Sequence, residues 1–162
     1  MKNLSLIVTI LFTATFGSLM AQAAQKLECA SVTQPEIAAL FDRWNSSLQT
    51  GDADKVATNY AKDAVLLPTV SNTPHTTPAL IKDYFTHFLQ KKPQGKIDSR
   101  TIHIGCNDAY DDETYTFTLT DKDGKVSQVQ ARYSFFYVLA DGQWKIAHHH
   151  SSAMPEKVAE GR

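Results

Sequence analysis

An excess of charge of either sign is missing from this sequence: 16 Lys and Arg face 17 Asp and Glu across 162 residues, a formal net charge of −1. No basic field is available to hold a nucleic-acid backbone or an anionic membrane surface, so neither partner is expected. Cysteine is scarce, with two residues and no C-x-x-C spacing, which excludes a dense disulfide scaffold and gives no support to a zinc or redox motif. Glycine and proline are few, at seven and six, and form no repeat, which excludes collagen-like and low-complexity chains. A G-x-S-x-G nucleophile elbow, a Gly-rich phosphate loop and paired catalytic carboxylates are absent as well. The acidic run Asp108, Asp111, Asp112, Glu113 lacks calcium-loop spacing and reads as a solvated turn. No cofactor and no physiological metal are expected. What is left, 43% hydrophobic and 20% charged, is the composition of one ordinary globular domain.

Long apolar runs are limited to one, Leu4 to Met20, which carries no charge, follows Lys2 and leads into the A-x-A site Ala21-Gln22-Ala23. That pattern predicts a secretory signal peptide over 1–23. A membrane anchor would need about 20 apolar residues and a firmer stop than the single Lys26. Cys29 follows Lys26-Leu27-Glu28 rather than small residues, which argues against a lipid anchor. The mature chain is expected in the periplasm or outside the cell, without membrane contact after cleavage. It divides into an arm at 24–33, one domain at 34–155 and a tail at 156–162. In an oxidising compartment Cys29 and Cys106 are expected to pair and tie the arm to the domain; two free thiols are the alternative.

Thr33-Gln34-Pro35-Glu36 is a capping box with proline in the first turn, and Ile37, Leu40, Phe41, Trp44 and Leu48 then recur at helical spacing. The helix should stop at Gly51, with Asp52 capping a shorter one that carries Val56 and Tyr60. Ala64 to Leu67 reads as a short buried strand ended by Pro68. Thr77 and Pro78 open a third helix with Leu80, Ile81, Tyr84, Phe85, Phe88 and Leu89 on its apolar face. From Ile97 the period changes to two, with a turn at Asn107 to Asp112, a strand at Thr114 to Thr120, a hairpin at Asp121 to Gly124, and strands at Val126 to Leu139 and Gln143 to Ser152. Helices gathered ahead of an antiparallel meander predict an α+β fold.

The segments W-N-x-x-L-Q-T-G-D at Trp44 to Asp52, Y-A-K-D-A-V at Tyr60 to Val65 and D-G-Q-W-K-I-A-H-H-H-S-S-A-M-P at Asp141 to Pro155 carry a resemblance. The chain resembles the nuclear transport factor two-like superfamily, and within it the association domain of calcium/calmodulin-dependent protein kinase II and its bacterial secreted relatives. The resemblance implies a cone: a strongly curved antiparallel sheet wrapped over three helices, with a cavity at the open end. It also implies a homo-oligomer, a dimer first. Nothing resembles a kinase domain or a calmodulin-binding helix.

Strand alternation places Tyr133, Phe135 and Tyr137 on one face and Arg132, Ser134, Phe136 and Val138 on the other, while Ala147, His149 and Ser151 alternate with Trp144, Ile146, His148 and His150. Both faces are apolar enough that one is expected to line the cavity and the other to meet a second subunit. The resemblance implies which: Tyr115, Phe117, Tyr133, Phe135, Tyr137, His149 and Ser151 in the cavity, and Trp144, Ile146, His148 and His150, with Phe136 beside them, at the interface. It also implies that three cavity arginines of the kinase's association domain are replaced here by Tyr115, Phe135 and Ser151. A cavity without those forks is expected to take a neutral or aromatic molecule rather than an anion. Of the histidine triplet only His148 and His150 share a face, too few ligands for a metal without a third. Arg100 and Arg132 are expected in ion pairs with Asp98, Asp112 or Glu113, and Asp63 is expected to brace the turn into Ala64. The leading expectation is an exported, non-enzymatic, oligomerising module that binds a small molecule. Its alternatives are an isomerase-, cyclase- or dehydratase-type enzyme with His149 as base and Tyr133 or Tyr115 stabilising an enolate, and a purely structural assembly domain.

Overall fold

A computed structural model describes residues 28–69 and 71–155. The expected signal peptide, the start of the arm and the tail lie outside the described residues. The element order is α1 (Gln34–Leu48), α2 (Ala53–Ala57), β1 (Tyr60–Leu67), α3 (Pro78–Phe88), β2 (Gln94–Ile104), β3 (Asp108–Thr120), β4 (Val126–Ala140) and β5 (Gln143–Ala153). The strands form one curved, unclosed sheet in the order β1-β5-β4-β3-β2. β2 to β5 are the antiparallel meander, and β1 joins it by pairing parallel to β5. The helices precede the meander in sequence, as an α+β cone requires.

Local chemistry sets the helix ends. The Thr33 N–H and hydroxyl both donate to Glu36 Oε2, at 2.8 and 2.7 Å, and these bonds hold the Glu36 carboxyl below its ordinary value. Asp52 caps α2 by accepting from the Asp54 and Lys55 N–H groups, and Thr77 caps α3 through Leu80 N–H. Gly51 ends the α1 turn at φ +68°, where a side chain would be strained.

The apolar stripe of α1, Ile37, Phe41, Trp44 and Leu48, is buried against the inner face of the sheet. Phe41 sits 6.5, 6.2 and 6.0 Å from the rings of Tyr115, Tyr133 and Phe135. This close approach needs Gly95 on β2, where a Cβ would meet Asn45 Oδ1 at 3.1 Å and Phe41 Cζ at 3.3 Å. The Asn45 side chain clamps the same residue, accepting from its N–H at 2.8 Å and donating to its carbonyl at 2.9 Å. Cys29 and Cys106 form the expected disulfide, and Ala30 N–H donates to the Cys106 carbonyl beside it.

Several expectations shift. Tyr60 opens β1 instead of continuing α2, because α2 ends at Ala57 and Ile146 N–H on β5 bonds the Asn59 carbonyl. On α3 and just after it, Ile81, Phe85 and Leu89 are buried and Tyr84 and Phe88 pack against the core as expected, and only Leu80, exposed at 41%, leaves the apolar face. The turn between β2 and β3 is confined to residues 105–107, and Asp108 to Asp112 are strand. The correction that matters most lies on β5. Phe136 pairs with His148 but Tyr137 pairs with Ile146, so Ala147 is an extra residue that reverses the alternation. Ile146 is therefore a core residue at 1% exposure opposite Tyr137, and Trp144 packs against the core on the same side. Neither stands on the outer face. His148, His150 and Phe136 do, and His150 and Phe136 are exposed.

Candidate functional site

A cavity of about 150 Å³ lies between α3 and the inner face of the sheet. Of the residues expected there, Tyr115, Phe117, His149 and Ser151 line it. Tyr133, Phe135 and Tyr137 share the face but do not line it, because α1 covers them; Phe135 instead backs the site by stacking on His149 with ring centres 4.1 Å apart. The remaining wall comes from Trp44, from Leu66 and Thr69 around the end of β1, and from Tyr84, Phe85 and Phe88 of α3, with exposed Lys91 at the rim. The α3 aromatics were visible in sequence as one apolar face. Thr69, which follows a proline in a loop, carried no signal.

Two hydrogen-bonded chains supply the polarity. In the first, Trp44 Nε1–H donates to the Tyr60 hydroxyl oxygen at 3.1 Å, which leaves the Tyr60 proton to be donated to His149 Nδ1 at 2.8 Å. Nδ1 is thus an acceptor, and the imidazole proton belongs on Nε2. Burial first, then the neighbouring His148 and His150, lower the His149 pKa to about 3, so the ring is neutral at physiological pH. His149 Nε2 is buried and has no hydrogen-bond partner among the described residues. His149 lines a mostly apolar cavity, and its buried Nε2–H is a neutral donor left over for one acceptor atom.

In the second chain, the Tyr115 hydroxyl donates to Ser151 Oγ at 2.6 Å, and Ser151 Oγ is hydrogen-bonded to Thr69 Oγ1. Burial pushes the Tyr115 phenol up to about 12. All three hydroxyls stay neutral and can rotate to donate or accept.

A separate polar cluster sits under the first half of α1. Asp111 is fully buried and accepts at Oδ1 from Arg100 Nε at 3.1 Å and from the Tyr133 hydroxyl at 2.8 Å. The partner expected for Arg100 was Asp98, Asp112 or Glu113. Asp111 takes that role because the acidic run is strand, and alternation turns Asp111 inward beside Ala109. Burial raises its carboxyl pKa, against the lowering effect of the Tyr133 and Arg100 contacts. Arg132 is exposed on the outer face.

Comparison with known proteins follows the same geometry. The family model described as the calcium/calmodulin dependent protein kinase II association domain matches residues 33–155. A crystal structure from Xanthomonas campestris, named for the same association domain, is 52% identical, covers 80% of this chain and 96% of its own, and has a TM-score of 0.76. A nuclear transport factor 2-like superfamily protein from Salmonella enterica serovar Typhimurium is 19% identical over 79% of this chain and 96% of that one, with a TM-score of 0.66. A nuclear transport factor 2-like protein with a cystatin-like fold from Novosphingobium aromaticivorans is 13% identical over 76% and 83%, with a TM-score of 0.64. At that identity the last two speak for the fold alone. A search of curated proteins finds no match.

Proposed function

The chain belongs to the calcium/calmodulin dependent protein kinase II association domain family, and from that premise we propose that it is an exported, non-enzymatic, self-associating module whose cone holds one small neutral ring compound. The observation that carries the ligand reading is the buried, unpartnered Nε2–H of His149, a residue that lines an otherwise largely apolar cavity. A volume of about 150 Å³ equals that of an engineered apolar cavity that takes up benzene, so one substituted ring is the matching size. Phenol-like or aryl carbonyl compounds present the single acceptor that His149 requires.

The enzymatic alternative is weaker at its base. An imidazole with a pKa lowered to about 3 is a poor proton acceptor near neutrality, and its Nδ1 lone pair is already occupied by Tyr60. Export is supported by the Cys29–Cys106 disulfide, since such bonds persist in oxidising compartments. No helix among the described residues is long and apolar enough to cross a membrane. Self-association is supported by the family and by the outer sheet face, where Tyr110 and Phe136 are exposed at 38% and 36%.

Titration with phenol, followed by calorimetry, tests the ligand reading. One site per chain is expected, weakened about tenfold in His149→Phe, which keeps the ring stack and removes the donor. Equal affinity in both proteins, or no saturable binding, would refute it.

A further inference from the structure

An open groove of about 520 Å³ runs between α1, the turn from α2 into β1 and the first residues of β5, and it shares no lining residue with the cavity. Arg43, Lys55, Lys145 and Trp144 line it, and among the described residues no carboxylate does. Three cations around one groove are a local concentration of positive charge in a chain whose formal charges nearly cancel. Lys55 has a carboxylate neighbour, Asp52, at 4.0 Å, but both side chains are well exposed, so the pair is weak. Gly142, Gln143, Trp144 and Lys145, the centre of the D-G-Q-W-K-I segment, line this groove and not the cavity.

The cationic groups are held in place by neutral partners. Arg43 Nε donates to Asn59 Oδ1 at 3.1 Å, and Nη2 donates to the Trp144 carbonyl at 2.7 Å. Asn59 is buried, and its amide donates to Ser47 Oγ and to the Lys55 and Val56 carbonyls, so the group that orients Arg43 is itself locked. Lys145 Nζ donates to the Thr58 carbonyl at 2.8 Å, beside Asn59. An amide oxygen and two carbonyls position these cations without cancelling their charge. Guanidinium and ammonium N–H groups of Arg43 and Lys145 remain for a further, negatively charged acceptor.

We propose that this groove is a second ligand site, which binds a small molecule carrying a phosphate group on a planar ring. Arg43 and Lys145 grip the phosphate oxygens, Lys55 adds long-range attraction, and the Trp144 indole walls the ring. The site is independent of the cavity: one takes a neutral ring through a neutral imidazole, the other an anion through fixed cations.

The chain has two tryptophans, Trp44 in the core and Trp144 in the groove, so the Trp144 indole N–H resonance reports the site directly in NMR titrations of the whole protein. Inorganic phosphate and phenyl phosphate are the probes, with sodium chloride at equal ionic strength as the control. Saturable shifts of the Trp144 signal are expected, with phenyl phosphate about tenfold tighter than phosphate, and that advantage, followed in Trp144→Leu by calorimetry, is lost. Arg43→Gln should weaken phenyl phosphate about tenfold. Lys145→Gln, which gives up one exposed bond to Thr58, should weaken it several-fold and keeps the test decisive if the Arg43 variant misfolds. Shifts reproduced by chloride, no shift at Trp144, or unchanged affinity in Lys145→Gln would overturn the proposal.

Discussion

At the scale of single residues, His149 joins stability and binding through one proton. An unfolded histidine protonates near pH 6.5, whereas folded His149 does so only near about 3. Between those values the unfolded chain binds more protons, so stability falls as the pH is lowered through that window, by up to about 1.4 kcal/mol per unit. His148, lowered by partial burial and by His150, adds in the same direction. Asp111 opposes both, because its raised pKa lets the folded state take a proton before the unfolded chain does. Urea midpoints measured from pH 7 down to 4.5 should decline, and the decline should be shallower in His149→Phe; parallel curves for the two proteins would contradict a buried neutral imidazole. The inward setting of His149 was legible from strand alternation together with the family resemblance, which implied the face that lines the cavity. Its tautomer was not, since that depends on Tyr60 and Trp44, which lie about 90 and 105 positions away in sequence and meet it only through the fold.

At the scale of elements, caps and stripes translate directly from sequence. The Thr33 box, the Asp52 and Thr77 caps and the α1 stripe all depend on residues within one or two turns of each other, so local pattern suffices. What local pattern misses is set by distant pairing. The Ala147 bulge exists only in the register of β5 against β4, and it moves Trp144 and Ile146 from the expected interface to the core side. The acidic run was misread for the same kind of reason: Asp111 is tolerated in a strand because Arg100 and Tyr133 meet it across the sheet. The α1–β2 contact offers a stringent test of packing. Gly95→Ala should cost about 1–3 kcal/mol, because the new methyl presses on Asn45, Phe117 and Phe41 at 3.1 to 3.3 Å. Chemical denaturation measures it, and an unchanged midpoint would mean that α1 sits less tightly on β2 than described.

At the scale of the molecule, the meander, the helix order and the disulfide follow from the sequence, because each rests on a strong pattern: a switch of period, three caps, two cysteines. The division of the sheet into an inner and an outer face follows too, apart from the bulge. Tyr110 and Phe136, paired across β3 and β4, with half-buried His148 beside Phe136, put an aromatic patch on an outer face that also carries exposed Arg132 and His150. Inside, apolar rings, a neutral imidazole and hydroxyls make up the cavity wall, with Lys91 at its rim. Native mass spectrometry of the protein with phenol added reads subunit number and occupancy together. Dimers or larger multiples of the chain, with one ring held per subunit, are the predicted result; monomers at micromolar concentration that hold no ring would contradict it.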